Sequence, residues 1–439
     1  MKTNEPTTKQ IKSFLIFTIL LLVSILTLLF NTNFSYAEDL IDSGILQNTE
    51  NTENTTNDNL KIYSDAVILI ENQTGKTLYE KNSEQKMYPA STTKILTAIL
   101  SIEKGNLNDK VTVSKTAIAQ MKPGYTSAYL SEGEIISVED LLKVLLINSA
   151  NDASNVLAEY ISGSIDSFVT LMNEKSKELG CTNTHFVTTN GLHDDNHYTT
   201  AKDLAIIARY CMQNETFRKI VSMKKCVIPA TNKSEERIYK NTNDLINPTS
   251  GYYYPSCIGI KTGFTSEAKN CLISACSKNG LQVIAVVLGA SITENHKSAR
   301  YVDSKTLYDY TYSNYSIQNI AKASSVIETI EVKNATDETK SLDLKLEKDL
   351  NVLVNNKDKE NIKTEIVLKD NISAPIATNS VVGSITYIVG ADKYTINLLA
   401  SHDVEKKENI IWILRLSLFL ILLILIIFII YKISKKPKK

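Results

Sequence analysis

From Ile410 to Ile430 the sequence is apolar, with Arg415 its only charge. At the helical rise of about 1.5 Å per residue, some twenty residues match the ~30 Å hydrocarbon core of a bilayer. The segment 410–431 therefore reads as a transmembrane helix, and everything else must fold on one side or the other of it. Trp412 and Tyr431 fall where interfacial aromatic residues prefer to lie, and Arg415 is close enough to one end to snorkel. Lys432, Lys435, Lys436, Lys438 and Lys439 follow, so residues 432–439 read as a basic cytoplasmic tail.

A second apolar run, Phe14 to Phe30, comes after Lys2, Lys9 and Lys12 and is followed by Ser35-Tyr36-Ala37. Basic residues, an apolar stretch and then small residues form the pattern of an export signal. Residues 1–37 are read as a signal peptide cut after Ala37, with an uncleaved anchor as the alternative. Either way residues 38 to 409 face outward, and with the signal cleaved the chain crosses the membrane once.

Lys and Arg number 48 against 48 Asp and Glu, which excludes a broadly basic nucleic-acid binder. The six cysteines, Cys181, Cys211, Cys226, Cys257, Cys271 and Cys276, fall in one stretch of an exported chain, where disulfides are permitted without being required. Cys271 and Cys276 lie five apart on an expected strand and so point to opposite faces. There is no Cys-x-x-Cys pair to suggest a zinc cluster. Most of the six are expected to be small buried hydrophobic residues.

Residues 38–60, including QNTENTENTTNDN, are polar and low in complexity, and read as a disordered linker. Two strands around Asn72-Gln73-Thr74-Gly75 open the first domain, 61–318. Pro89 bars helix before it, so a helix is expected from about Ser91. Helical periodicity recurs over Val138–Ile161, Ile165–Leu179 and Thr200–Ile220. After Pro255 come CIGIKTGFT, NCLISACSK and LQVIAVVLG, the last two joined by Asn279-Gly280, a strong hairpin signal. A helix from about Glu294 to Tyr312 closes the domain. Short alternating runs over 325–402 predict a small all-β domain between it and the membrane.

Ser91 and Lys94 are one helical turn apart at an expected helix N-terminus, where backbone N–H groups favour developing negative charge and a neutral lysine. A neutral amine beside a serine hydroxyl can take its proton. Ser-x-x-Lys alone is weak, because it recurs at Ser83, Ser101, Ser222 and Ser266. Its company is more specific: Ser149-Ala150-Asn151 interrupts a helical region, and Lys261-Thr262-Gly263 occurs once, on a strand beside a hairpin.

Those three motifs sit within longer strings, Tyr88-Pro89-Ala90-Ser91-Thr92-Thr93-Lys94, Asn148-Ser149-Ala150-Asn151-Asp152-Ala153, Asn190-Gly191-Leu192-His193-Asp194 and Gly259-Ile260-Lys261-Thr262-Gly263-Phe264-Thr265. With them, residues 60 to 405 resemble the serine D-alanyl-D-alanine carboxypeptidases, the low-molecular-mass penicillin-binding proteins. The resemblance implies an α/β transpeptidase-like (β-lactamase-like) catalytic domain of antiparallel sheet and helices, then a small all-β domain and a C-terminal transmembrane helix in a bacterial cell membrane. It implies that Ser91 attacks the bond between the two terminal D-alanines of a peptidoglycan stem peptide, and that β-lactam antibiotics acylate the same serine. Lys94 would be the base and Ser149 a proton relay to the leaving D-alanine. Asn151 would hold the substrate amide, Lys261 would supply positive potential, and Thr262 would bond the terminal carboxylate. Gly263 completes the third motif, and the N–H groups of Ser91 and Phe264 would form the oxyanion hole. No cofactor, metal or nucleic acid is implied.

Many relatives of this kind place an arginine before the last helix of the catalytic domain to anchor the carboxylate. Here His296 is the corresponding residue by sequence, with Lys297 and Arg300 as alternative cations. A class A β-lactamase would need Glu-x-x-x-Asn between Asn151 and Lys261, and none occurs. His193 and His197 have zinc-like spacing only if helical, and Gly191 and the Asp-Asp-Asn run argue for a hydrogen-bonded surface loop instead. A tethered scaffold that binds penicillin without turnover is the non-enzymatic alternative. Tyr252, Tyr253 and Tyr254 either line a substrate groove or pack on the sheet edge.

Overall fold

The computed structural model describes residues 60–119, 121–122, 124–408 and 410–434. The expected signal peptide, nearly all of the linker and the end of the basic tail lie outside the described residues. A hairpin of β1 (Ala66–Glu71) and β2 (Thr77–Lys81) opens the fold, as its Gly-centred turn predicts. The 3₁₀ turn Ala90–Thr93 then leads into α1 (Lys94–Lys104), which ends at Gly105. After the small ladder of β3 (Lys110–Thr112) and β4 (Ile135–Ser137), with α2 (Lys115–Ala119) between them, come α3 (Val138–Lys143), α4 (Asn151–Ser162) and α5 (Ile165–Glu178).

The expected single helix 200–220 is two helices, α6 (Ala201–Gln213) and α7 (Glu215–Val221). Asn214 is extended at ψ 125° and its side chain accepts from Phe217 N, so it closes one helix and caps the next. A hairpin of β5 (Lys225–Ile228) and β6 (Arg237–Lys240) was not expected: its strands are only four residues long, and polar and apolar residues mix on both faces.

The strands β7 (Cys257–Thr265), β8 (Lys269–Lys278) and β9 (Leu281–Ala290) complete an antiparallel sheet of order β2-β1-β9-β8-β7. Asn279 and Gly280, both at positive φ, make the β8–β9 turn. Strand alternation then divides two cores. Ile68, Ile273, Ile284 and Val286 face the large helical cluster that contains α1 and α6, while Val67, Leu272, Val283 and Val287 face α8 (Ala299–Asn314). Cys271 and Cys276 belong to opposite cores, as their spacing on one strand requires. Helix α8 starts later than expected because Thr293 to Lys297 form a tight turn, with Thr293 N bonded to Lys297 O and His296 at φ 59°.

Strand β10 (Tyr315–Ala321) follows α8 directly. A second sheet has the order β11-β12-β16-β15-β14, from β11 (Val326–Glu331), β12 (Ser341–Leu346), β14 (Ile362–Leu368), β15 (Val381–Val389) and β16 (Asp392–Ala400), while β13 (Leu350–Asn355) pairs with β10. Leu342, Leu344, Ile385, Ile396 and Leu398 alternate into its core. Helix α9 (Ile410–Ser434) is the one helix among the described residues long and apolar enough to cross a membrane, over Ile413–Lys432.

Candidate active site

Ala90 sits in the left-handed region at φ 47°, a conformation that costs a residue with a Cβ about 1 kcal/mol. The surroundings hold it there. A Cβ on Gly191 would stand 1.9 Å from Ala90 O, and one on Gly263 would stand 3.1 Å from Ser91 N, so both flanking segments press their bare backbones onto this turn. Ser91 therefore lies in a 3₁₀ turn just before α1, not in its first α-turn. Because side chains three apart eclipse in 3₁₀ geometry, Ser91 and Lys94 still stack.

Lys94 is fully buried and its Nζ has three neighbours: Ser91 Oγ at 2.8 Å, Asn151 Oδ1 at 2.7 Å and the Asn190 carbonyl at 2.6 Å. Burial pushes its pKa well below the usual lysine value, and the nearby Lys261 pushes the same way, against a weaker pull from Asp152. A neutral amine has two N–H donors and one lone pair. Asn151 Oδ1 and the Asn190 carbonyl take the donors, which leaves the lone pair for the Ser91 hydroxyl. Asn190 lies in one of the longer sequence strings, but its role is through its backbone carbonyl and carries no side-chain signal.

The second motif follows from a helical defect. Val144–Asn148 is a π-helical turn, Ser149 is left-handed at φ 69°, and α4 restarts at Asn151. The break sets Asn151 beside Lys94. The Ser149 hydroxyl is left with no hydrogen-bond partner among the described residues. Asp152, fully buried, accepts from the backbone N–H groups of Ala128 and Leu130 and so clamps the 126–130 loop to the motif, while Asn151 N bonds Thr126 O.

The third motif lies on β7, the outer strand of its sheet. Lys261 is buried, and its Nζ donates to Thr262 O at 2.9 Å. Burial lowers its pKa to about 7, with help from the Arg300 guanidinium. The Thr262 hydroxyl is 2.6 Å from that of Thr242, a residue no motif marked. Phe264 is exposed beyond Gly263.

Of the three candidate cations His296, Lys297 and Arg300, the one beside this strand is Arg300. Arg300, in the first turn of α8, donates from Nη1 to Gly263 O at 3.3 Å and lies over the Tyr301 ring, and its buried Nε has no partner. His296 and Lys297 are exposed in the preceding turn.

His197 also differs from the surface loop expected of it. It is buried: Nδ1 accepts from Val187 N and Thr188 N, and Nε2 is 2.9 Å from Thr93 Oγ1, which in turn donates to Ala90 O. Both ring nitrogens have protein partners, and Nε2 reaches the nucleophile turn through Thr93. His193 lies edge-on to Tyr88, away from that network. Tyr252 and Tyr254 pack against Tyr301 and Tyr308, which favours the packing reading for them.

Residues 51–292 match the family model for D-alanyl-D-alanine carboxypeptidase, peptidase S11, and residues 315–406 match the C-terminal domain of penicillin-binding protein 5. The D-alanyl-D-alanine carboxypeptidase DacF of Bacillus subtilis is 35% identical over 356 residues, covering 80% of this chain and 88% of that one. Among solved structures, penicillin-binding protein 5 from Haemophilus influenzae has a TM-score of 0.61 at 29% identity, covering 79% of this chain and 98% of that one. The Streptomyces K15 DD-transpeptidase has a TM-score of 0.52 at 31% identity, covering 57% of this chain and 98% of that one. The fold and the three assembled motifs are those of a penicillin-recognising serine peptidase. The chain belongs to the D-alanyl-D-alanine carboxypeptidase family, peptidase S11, and is a serine hydrolase of the kind that works through an acyl-enzyme and binds penicillin.

Proposed function

We propose that this protein trims the terminal D-alanine from peptidoglycan stem peptides at the outer face of a bacterial cell membrane, held there by α9. Ser91 Oγ attacks the carbonyl of the penultimate D-alanine as its proton passes to Lys94. The backbone N–H groups of Ser91 and Phe264 hold the oxyanion. Ser149, whose hydroxyl is otherwise unengaged, passes a proton to the departing D-alanine amine, and Asn151 holds the peptide amide. Thr262 bonds the substrate carboxylate, with Lys261 and Arg300 supplying positive potential. Water then cleaves the acyl-enzyme and frees Ser91. A β-lactam enters by the same attack and stays attached longer.

The single observation that carries this reading is the Lys94 amine, fully buried with its pKa pushed well down by that burial, and held within 2.8 Å of Ser91 Oγ, Asn151 Oδ1 and the Asn190 carbonyl. For the membrane arrangement, the support is the apolar length of α9 and the lysines that follow it. Release of D-alanine from a D-Ala-D-Ala peptide by the full chain tests the reading, with Ser91→Ala as control. Turnover should be lost in that variant together with labelling by fluorescent penicillin. Label that persists on Ser91→Ala would move the nucleophile elsewhere, and penicillin labelling without peptide turnover would favour the scaffold reading.

A further inference from the structure

Cys257 and Cys276 stand directly opposite each other on β7 and β8. Among the described strands this is the one register pair made of two cysteines. Both side chains lie on the α8 face of the sheet, within one core cluster. The neighbouring bond from Ser277 N to Ser256 O, 2.9 Å, makes Cys257 and Cys276 a non-hydrogen-bonded pair. In such pairs the Cα atoms approach to about 4.5 Å, within the span a disulfide bridges. Cys271, by contrast, is paired with Gly263 and faces the other core.

We propose that Cys257 and Cys276 are a dithiol site that is oxidised to a cross-strand disulfide in the exported protein, bracing the strand that carries Lys261, Thr262 and Gly263. The inference rests on the outward topology proposed above. Strand β7 is the outer strand of its sheet, held by β8 alone within it, and Cys257 lies four residues before Lys261. A covalent tie at that point keeps β7 in register where its bulge, between Cys257 and Gly259, loosens the ladder.

The oxidant is a disulfide of the extracytoplasmic space, either a thiol oxidoreductase or a small-molecule disulfide. Cys257 is only partly buried and Cys276 fully so, which makes Cys257 the entry point. Its thiolate attacks the donor disulfide, forming a mixed disulfide and expelling one thiolate. The Cys276 thiolate then attacks Cys257 Sγ and expels the second. Two electrons and two protons pass to the oxidant, and one S–S bond is gained for the one broken. Burial raises both thiol pKa values, Cys257 to about 12 and Cys276 to about 11. The thiolate fraction at neutral pH is therefore small, and the exchange is slow without a catalyst.

The test uses the full chain isolated from membranes of the producing cell, with free thiols trapped by N-ethylmaleimide under denaturing, non-reducing conditions. Mass spectrometry of its peptides should find Cys257 joined to Cys276, lighter by two hydrogens and alkylated only after reduction. Reducing that link should lower Tm by roughly 5 °C, from the closure of a loop of about twenty residues. Alkylated Cys257 and Cys276 in this sample, or a link to any other cysteine, overturns the proposal, and a link whose reduction leaves Tm unchanged overturns the bracing role. Reduced full chain treated with oxidised glutathione and a disulfide isomerase identifies the fault when the cell sample is unlinked. A bond that forms there means that outward exposure fails, and no bond means that the pairing itself fails.

Discussion

Lys94 Nζ lies 2.7 Å from Asn151 Oδ1 and 2.8 Å from Ser91 Oγ, so the second motif supplies the acceptor that orients the base of the first. Two substitutions separate orientation from protonation. Lys94→Arg keeps a cation but cannot give up its proton, and acylation by penicillin should fall about a thousandfold or more. Asn151→Asp puts a carboxylate on the amine, favouring its charged form, so acylation at pH 7 should fall by about tenfold or more and recover in part as pH rises. Stopped-flow acylation across pH reads both, and a wild-type rate in either variant would remove Lys94 from the role of neutral base.

Lys261 and Arg300 should share the substrate carboxylate. Lys261 is charged below its pKa of about 7 and neutral above it, so carboxylate affinity should weaken as pH rises through that value. Arg300 helps to depress that pKa, and its removal should move the inflection upward. Arg300→Gln should also raise KM for a D-Ala-D-Ala peptide roughly tenfold or more, the worth of one charge-assisted bond, while His296→Ala and Lys297→Ala leave KM alone. Peptide kinetics from pH 5.5 to 9 provide the measurement, and a KM that responds to His296→Ala would give the role to His296 instead of Arg300.

The nucleophile turn should tolerate no side chain at Gly191. Its φ of +81° already disfavours one, and a Cβ would collide with Ala90 O at 1.9 Å. Gly191→Ala should lower Tm by several degrees and reduce acylation of the folded fraction at least a hundredfold, since Ser91 follows Ala90 directly. Thermal melts by circular dichroism, paired with penicillin labelling, separate the two losses.

The three motifs and most of the strands were legible because each is local. Alternation and Asn279-Gly280 specify the β8–β9 hairpin, and Pro89 with the apolar run specifies the approach to α1. What stayed hidden depends on contacts distant in sequence. Asn190 acts through its carbonyl, Thr242 through a hydroxyl that only the fold brings to Thr262, and His197 through a burial that its polar neighbours conceal. The start of α8 was misplaced because Thr293 to Lys297 carry no helix breaker, and the choice among His296, Lys297 and Arg300 needed the packing of Arg300 on Gly263, which is distant in sequence. Asn214, read as helix interior, is a cap whose backbone turns extended.

His197 should make the nucleophile turn sensitive to acid. Burial lowers its pKa to about 4, opposed by Asp194 and assisted by His185, Lys94 and His193. In the unfolded chain the group titrates near its ordinary 6.5, so between about pH 6.5 and 4 the unfolded state binds the extra proton. The stability that neutral His197 contributes is present above pH 6.5, declines as pH falls, and is lost by about pH 4, a total of about 3 kcal/mol. Protonation would also deprive Val187 N and Thr188 N of their acceptor and disturb the link through Thr93 Oγ1 to Ala90 O. His197→Gln should be less stable than wild type at pH 7.5, with the gap closing toward pH 4, and acylation should fall along with it. Urea unfolding of the full chain in detergent, followed by circular dichroism at pH 7.5, 6, 5 and 4, gives the profile. A gap that stays constant across that range would mean that His197 supports the turn by packing alone.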